Sequence, residues 1–212
     1  MTPEEFSARF VDLYRRARVL SVPSQKVTRA RSRSVSSDLE ELVAAYLAEN
    51  ATRDLHIYVD QPVSLGDGKV AYPDLVVLDT AAQTVIAIVD VKTDIGWKRD
   101  GMQTMCEKLA TVRQAISSRG TVKLGPEPKL RSPHSVAKDL TCHLVVGAME
   151  NSGKDLQTPE AMKLANDNNI FVHILIEGKH PNHFSRQQVN TFPGLEVRTN
   201  DFMALARLAR AA

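Results

Sequence analysis

YPDLVVLDTAAQTVIAIVDVKTD, residues 72–94, contains two runs of mostly apolar residues separated by the short polar turn around Ala81–Gln83. Runs rich in Val and Ile that are bounded by turn residues are typical of β-strands. The sequence therefore predicts an antiparallel hairpin whose strands cover Val70–Asp79 and Thr84–Lys92. This hairpin also contains the charged residues on which the prediction of function mainly depends.

Successive residues of a strand alternate between its two faces. On the second strand, one face is predicted to hold Ile86, Ile88, Asp90 and Lys92, and the other face Val85, Ala87, Val89 and Val91. If the turn is centred on Ala82, Asp74 lies directly opposite Asp90. A four-residue turn would move the register by one residue and make the two acids diagonal neighbours. In either case the two carboxylates lie within roughly 5–8 Å of each other.

Two carboxylates in an otherwise apolar hairpin repel each other and are costly to remove from water. A bound divalent cation would offset this cost, and Mg²⁺ typically takes one or two carboxylates together with phosphate oxygens. Lys92 follows on the same face, where it could orient or help to deprotonate a water molecule, or stabilise charge on a phosphate. The alternative is a salt bridge between Asp74 and Lys92 at the end of the sheet, with Asp90 exposed.

Hydrophobic spacing and capping residues predict the other elements. Helices are expected over about 3–20, 38–49, 101–118, 158–168 and 200–211, and strands over 56–63, 140–149 and 170–176. The segment 121–139 contains three prolines and is expected to be an irregular insertion. This order predicts one domain over residues 1–212 of the α/β class with α+β character, in which helices flank a central mixed sheet of about five strands.

Composition excludes several classes of protein. The 212 residues carry a net charge of +2 and are 43% hydrophobic, values that are ordinary for a globular chain and unlike disordered or collagen-like ones. No apolar run approaches the roughly 20 residues of a membrane span, and two cysteines favour a reducing, cytoplasmic location. The chain has no GxxxxGK[ST] motif, so no nucleotide cofactor is expected. His143 and His173 are predicted to be buried residues of apolar strands.

Charge is concentrated near the N-terminus. Residues 1–37 hold eight basic and three acidic side chains, a net charge of +5, whereas the other residues carry −3. The stretch SVPSQKVTRARSRSVSS, residues 21–37, is rich in Ser and Arg and is predicted to be a loop or arm. Arg29, Arg31 and Arg33 suit contacts with phosphate, because guanidinium groups donate to phosphate oxygens. The alternative is a solvated, flexible linker.

Pro73-Asp74, followed after fifteen residues by Asp90-Val91-Lys92, resembles the PD-(D/E)XK motif of the nuclease superfamily that includes many type II restriction endonucleases. The order of a helix, three antiparallel strands, a helix and a strand is also similar to that family's core, and the resemblance covers roughly residues 36–148. It implies a restriction-endonuclease-like fold and Mg²⁺-dependent hydrolysis of DNA phosphodiester bonds, with Mn²⁺ as a substitute.

The resemblance also implies roles for individual residues. Asp74, Asp90 and the main-chain carbonyl of Val91 would bind the metal, and Lys92 would act on the water. Independently of the resemblance, Lys98 and Arg99 follow the second strand directly and could contact the scissile backbone, so they join the three arginines of the arm as candidate DNA-binding residues. A small nuclease of this kind commonly acts as a homodimer, so that each site cuts one strand.

Many members of the family add a Glu from the helix that precedes the strands. Glu40 lies at the edge of the apolar face of the second predicted helix, whereas Glu41 points away from it, so Glu40 is the candidate for a further metal ligand. The alternative is structural, because Ser37 and Glu40 have the spacing of a capping box.

Three functions remain open at this point. The first is a restriction-type deoxyribonuclease. The second is a structure-specific nuclease of DNA repair, recombination or transposition, such as a resolvase. The third is a non-catalytic DNA-binding module on the same fold, against which the intact set of Asp74, Asp90 and Lys92 argues.

Overall fold

The computed structural model of the chain describes residues 1–22, 25–66, 68–95, 101–150 and 159–210, with backbone only for 159–161. The chain begins with two helices, α1 (Pro3–Arg18) and α2 (Ser36–Glu49). A capping box starts α1, since Thr2 Oγ1 accepts the N–H of Glu5 and the Glu5 carboxylate accepts the N–H of Thr2. This satisfies two N–H groups that the first turn would otherwise leave unpaired.

Nine strands and three more helices follow in the described residues. The strands are β1 (Leu55–Val59), β2 (Val63–Gly66), β3 (Lys69–Ala71), β4 (Leu75–Asp79), β5 (Thr84–Lys92), β6 (Thr121–Leu124), β7 (Ser132–Ala148), β8 (Ile170–Gly178) and β9 (Leu195–Val197). The helices are α3 (Gly101–Arg119), α4 (Pro159–Asp167) and α5 (Thr199–Arg207). Short 3₁₀ turns cover Pro128–Leu130 and Pro181–Phe184.

A mixed, curled sheet lies at the centre of the molecule, flanked by helices as predicted. Its strand order is β1-β4-β5-β7-β8-β9, with β6 paired to β7. The β5–β7 and β7–β8 pairs are parallel, and the other pairs in the sheet are antiparallel. The sheet therefore has seven strands where about five were expected, and β2 and β3 form a separate two-stranded sheet.

The segment 121–139 is not irregular as predicted, because it supplies β6 and the first part of β7. Proline is tolerated in a strand where one side of the ladder is unpaired. Pro133 pairs with Lys123 of β6, whereas pairing of β7 with β5 begins only at Ser135. The remaining two prolines lie in the connection between β6 and β7, where they do not interrupt a ladder.

The strand predicted over Val70–Asp79 is broken at Tyr72-Pro73, which separates β3 from β4. Proline has no N–H and restricts the residue before it, so the chain leaves one ladder and enters another. The strand predicted over 56–63 is also divided, since Asp60 has a left-handed φ of 50° between β1 and β2. The consequence is that Asp74 stands immediately before β4 and not within a strand.

A β-bulge at Ile86 sets the register of the central hairpin. The turn between β4 and β5 has four residues, and Asp79 pairs with Thr84 and Leu78 with Val85. Beyond the bulge, Val77 pairs with Ala87, and Leu75 pairs with Val89. The turn alone would make the two acids diagonal neighbours, but the extra residue moves the register so that Asp74 and Asp90 occupy the next opposed positions.

The bulge also places two residues of β5 on the faces opposite to the predicted ones. Val85 packs in the core on the α3 side of the sheet, together with Ile88, whereas Ile86 packs against the core on the opposite side, together with Ala87. The predicted faces of Val85 and Ile86 were therefore wrong, because an inserted residue exchanges the faces of all residues before it. The alternation from Ala87 onward is as predicted.

Two hydrophobic cores hold the helices to the sheet. On one face, Phe6, Tyr46 and Phe202 from α1, α2 and α5 contact one another edge to face at centroid distances of 5.1–5.8 Å. On the other face, Leu109 of α3 packs over Ile88 of β5 in the second core. Within the described residues, every helix is too short or too polar to cross a membrane.

Candidate functional site at the open end of the hairpin

Asp74 and Asp90 lie at the end of the central hairpin that is remote from its turn. The Asp74 carboxylate reaches across to β5, where its Oδ2 accepts the backbone N–H of Val91 at 2.6 Å. The Asp90 side chain is only 2% exposed and the Asp74 side chain 18% exposed. The structure thus brings the two predicted acids together in a largely desolvated position.

The ammonium group of Lys92 lies between these acids. Its Nζ is 2.6 Å from Oδ2 of Asp90, 3.2 Å from Oδ2 of Asp74 and 3.0 Å from the carbonyl oxygen of Val91. The three oxygens predicted to bind a metal therefore converge on one cationic nitrogen. The salt bridge considered as an alternative is present, but Asp90 is the most buried member of the group and not an exposed residue at the end of a strand.

The charges in this group shift two pKa values. Burial raises the pKa of Asp74, and the neighbouring charge of Asp90 raises it further, while Lys92 and the Val91 N–H act in the opposite direction. Burial acts to lower the pKa of Lys92, but the two carboxylates outweigh it, and the net shift is upward. Lys92 is therefore a charged group at neutral pH in this arrangement.

The charges of Asp74 and Lys92 also act on the pKa of Glu40. The pKa of this half-buried residue is raised by burial and then by Asp74, with Lys92 acting against both. The capping box considered as an alternative is absent, because α2 has Val35 as its N-cap and no side-chain capping bond. Glu40 thus belongs electrostatically to the carboxylate group.

Two further residues at the site were not found by sequence reasoning. Asp60 donates its backbone N–H to the carbonyl of Asp74 at 2.8 Å, and its charge raises the pKa of Glu40. Lys108, on α3, places its Nζ 3.5 Å from Oδ1 of Asp90 while remaining 53% exposed. Neither residue belongs to a motif. Asp60 reaches the site because the chain leaves the ladder after β1, and Lys108 reaches it because of where α3 packs.

A groove leads from solvent to Asp90. It has a volume of about 460 Å³ and lies between the β2–β3 hairpin and α3. Tyr72 and Pro73 line one side, and Lys108 and Leu109 line the other. A buried carboxylate at the wall of an open groove can meet an external ligand, which a carboxylate enclosed in the core could not.

The predicted DNA-binding residues have different positions. Residues 25–35 form no helix or strand, as the prediction of an arm requires, but the arm is attached to α1 where the N–H of Arg33 donates to the carbonyl of Ala17 at 3.0 Å. The Arg33 guanidinium donates to Ser21 Oγ at 2.8 Å, Arg31 is exposed and Arg29 is half-buried. Lys98 and Arg99 lie outside the described residues.

The donor set of the site fits a hard cation only in part. Oxygens of Asp74, Asp90 and Val91 are the ligands that Mg²⁺ and Mn²⁺ prefer. In the described part of the chain, however, no three His, Cys, Asp or Glu side chains are arranged to hold a metal ion. Two carboxylates and one carbonyl converge, and Lys92 occupies their meeting point, so a metal could bind there only if the ammonium group moved away.

Comparisons with models of known protein families and with curated proteins give no match. The inference of function therefore depends on the chemistry of the residues at the site.

Proposed function

We propose that the chain is a Mg²⁺-dependent endonuclease that hydrolyses phosphodiester bonds of DNA. The observation that carries this proposal is the convergence of Asp74, Asp90 and the Val91 carbonyl on the Nζ of Lys92. Three oxygens around one cation, two of them from carboxylates in a desolvated position, form a site whose negative charge favours a divalent ion.

In this proposal the three oxygens would hold Mg²⁺, or Mn²⁺ in its place, with Glu40 as a further ligand. When bound there, the metal would polarise a phosphoryl oxygen and lower the pKa of a coordinated water. Lys92 would move away from the three oxygens to admit the metal, and it would still hold its proton at Nζ, because an ordinary lysine is protonated at neutral pH. It would then serve as a donor to the phosphate or the water. The pKa of Asp74 is raised, so this carboxylate gains from a cationic partner.

A restriction-type deoxyribonuclease is the form of this activity that we favour, and we propose a homodimer in which each copy cuts one strand. A structure-specific nuclease of repair or recombination would differ in its substrate. Cleavage of linear duplexes at fixed positions supports the restriction type, whereas cleavage of branched or nicked DNA without sequence preference supports the structure-specific type. Sedimentation of the protein with and without duplex DNA tests the dimer.

Plasmid cleavage tests the activity itself. Supercoiled plasmid is incubated with the wild-type protein and with Asp90→Asn, in Mg²⁺, Mn²⁺ or EDTA. Asp54→Asn is the matched control, because Asp54 is an exposed acid just before β1 and outside the site. We expect cleavage by the wild type and the control in either metal, and none by Asp90→Asn. Equal cleavage by the wild type and Asp90→Asn would refute a metal nuclease at this site.

A non-catalytic DNA-binding module is the second candidate, and one observation favours it. Lys92 already occupies the point where the two carboxylates meet, and the described residues hold no group of three metal-ligating side chains. This candidate predicts duplex binding in EDTA and no strand cleavage in either Mg²⁺ or Mn²⁺ at any enzyme concentration tested.

A further inference from the structure

A second, basic cleft lies on the other side of the β2–β3 hairpin. It has a volume of about 470 Å³, and its lining includes Arg119 at the end of α3, Lys123 of β6, and Arg131. Ser64 and Thr121 add two hydroxyl groups to the same wall, and no Asp or Glu is among the described residues that line it. Guanidinium, ammonium and hydroxyl groups are the donors that proteins direct at phosphate oxygens.

The three cations of this cleft have no acidic partners in the ranges that the structure describes. Every ion pair found there involves other residues, and Nε of Arg131 is buried without a hydrogen-bond partner in the same ranges. Like charges that face one cleft repel each other. An anion in the cleft would remove that repulsion and supply an acceptor for Arg131.

Helix α3 connects this cleft to the candidate site. Lys108 and Arg119 are eleven residues apart, which at 100° per residue places them within about 20° of each other on one face of the helix. Both side chains are exposed, and Lys108 lies beside Asp90. At 1.5 Å per residue, the two positions are separated by about 16 Å along the helix axis.

The β2–β3 hairpin borders both cavities. Leu65 lines the groove that leads to Asp90, and its neighbour Ser64 lines the basic cleft. Because these two adjacent residues line different cavities, the hairpin separates the cavities as a thin wall. A ligand that crosses this wall would contact the site and the cleft at the same time.

We infer that Lys108, Arg119, Lys123 and Arg131 form a phosphate-binding track for duplex DNA, which leads away from the candidate site along α3 to β6. This inference rests on the proposed function for the position of the scissile phosphate near Asp90. The axial length of about 16 Å corresponds to the rise of about five base pairs. The track therefore holds the DNA backbone on one side of the cut.

Salt-dependent binding of a fluorescein-labelled 20-base-pair duplex in EDTA tests the track without any metal. The variant is Arg119→Gln with Lys123→Gln, two exposed residues whose replacement leaves the core intact. The control is Lys163→Gln with Lys179→Gln, which makes the same change in net charge at exposed positions outside both cavities. We expect the slope of log K against log salt to become less steep by about 1.8 in the track variant and to stay unchanged in the control.

A separate variant, Arg131→Gln, should also weaken binding and reduce the slope by about 0.9. Equal slopes for the track and control variants would overturn the inference, as would a wild-type protein that does not bind the duplex. Circular dichroism of each variant verifies that it is folded, and the exposed double variant remains decisive if Arg131→Gln is unfolded.

The failures of the two proposals are distinguishable. If the wild type cleaves plasmid but the track variant binds with an unchanged slope, the track is wrong and the nuclease stands. If the slope falls as expected but the wild type never cleaves in Mg²⁺ or Mn²⁺, the track stands and the nuclease is wrong. Hydroxyl-radical footprinting of the bound duplex should show protection that extends about five base pairs from the site in the wild type and is lost in the track variant.

Discussion

The Asp74 carboxylate accepts the backbone N–H of Val91 at 2.6 Å across the open end of the hairpin. This side-chain bond continues the hairpin beyond the Leu75–Val89 pair, where the main-chain ladder between β4 and β5 ends. It holds the carboxylate of Asp74 against Val91, the residue that follows Asp90 in the chain. The close approach of Asp74 to Asp90 is therefore built into the hairpin and does not depend on a metal to assemble it.

Asp74→Asn should retain the fold and lose the proposed cleavage. The amide oxygen of Asn can still accept the Val91 N–H, while the negative charge that burial and Asp90 disfavour is removed. We expect the free energy of unfolding to be equal to or up to about 1 kcal/mol above that of the wild type, as is common when an active-site charge is removed. Urea denaturation at pH 7 measures it. A loss of more than 1 kcal/mol would mean that the Asp74 charge stabilises the fold.

Lys92→Met should be markedly destabilising, and Lys108→Met should not. Removal of Lys92 leaves the 2% exposed Asp90 with the more distant Lys108 as its only ion-pair partner among the described residues, and such a loss costs about 2–3 kcal/mol, somewhat less than for a wholly unpaired buried charge. Lys108 is 53% exposed, so its pair with Asp90 contributes less than about 1 kcal/mol. Thermal and urea unfolding of both variants provide the comparison.

Asp90→Asn combined with Lys92→Met should recover most of the stability that Lys92→Met alone loses. The double variant no longer buries an uncompensated charge, and replacement of both partners of a buried pair is often neutral. If the double variant is as unstable as Lys92→Met, the cost lies in the packing of the lysine stem and not in the charge of Asp90.

Mg²⁺ should raise the Tm of the wild-type protein and leave that of Asp90→Asn unchanged. A ligand that binds only the folded state stabilises it by about 2.7 kcal/mol at one hundred times its Kd. Differential scanning fluorimetry with a titration from 0.1 to about 20 mM, with NaCl at matched ionic strength, measures the shift independently of cleavage. Asp54→Asn should respond like the wild type, and identical shifts in all three proteins would mean that Mg²⁺ binds outside the site.

Acid should destabilise the protein through His143 and His173. Burial lowers the pKa of His143 to about 3 and that of His173 to about 4, and their rings share a 3.0 Å hydrogen bond. Both pKa values lie below that of an unfolded histidine, so below pH about 6.5 the unfolded state binds more protons and stability falls. Each ring should contribute a loss of up to about 1.4 kcal/mol per pH unit down to about pH 4.

Urea denaturation at pH 7, 6 and 5 tests this dependence. The variant in which both rings are replaced, His143→Gln with His173→Gln, should have a flatter stability profile over that range even if its stability at pH 7 is lower. Equal slopes for the variant and the wild type would exclude these two rings as the source of acid sensitivity.

The two cysteines should not react with thiol reagents in the native protein. Cys106 and Cys142 are fully buried, and burial raises their pKa values to about 11 and about 12. Because the thiolate is the nucleophile, both burial and protonation oppose reaction at pH 8. Reaction with 5,5′-dithiobis(2-nitrobenzoate) should release no chromophore from the folded protein and two equivalents in guanidinium. Rapid modification under native conditions would contradict the buried positions.

The hairpin could be predicted from the sequence because its signals are local. Alternating apolar residues and a polar turn define the β4–β5 pair, and the opposed positions of Asp74 and Asp90 follow from a register that the structure retains. That register was expected from a turn centred on Ala82, whereas the structure achieves it with a four-residue turn and a bulge at Ile86. The length of the turn and the absence of a bulge were both predicted wrongly, and the two errors cancel at the end of the hairpin where the acids lie.

The residues that the sequence did not indicate come from tertiary packing. Lys108 reaches Asp90 because α3 packs on the sheet mainly against β7, the neighbour of β5, and no periodic pattern specifies that contact. The left-handed conformation of Asp60 and the strand that contains Pro133 depend on where each backbone segment sits in a sheet. Glu40 illustrates the intermediate case: its spacing from Ser37 fits a capping box with Ser37 as the N-cap, but the helix begins two residues earlier than that, at Ser36, with Val35 as its N-cap.

The bulge at Ile86 is a second position, besides the turn between β4 and β5, at which a residue can be added to or removed from the hairpin. A residue added to or removed from the turn shifts every pair before the bulge, but loss or relocation of the bulge can restore the pairs beyond it. One residue can therefore be added or removed between Asp74 and Asp90 in the chain while their carboxylates stay opposed in space. Related chains could differ in the number of residues between the two acids and still keep the carboxylates opposed, so a search for this motif with fixed spacing would miss them.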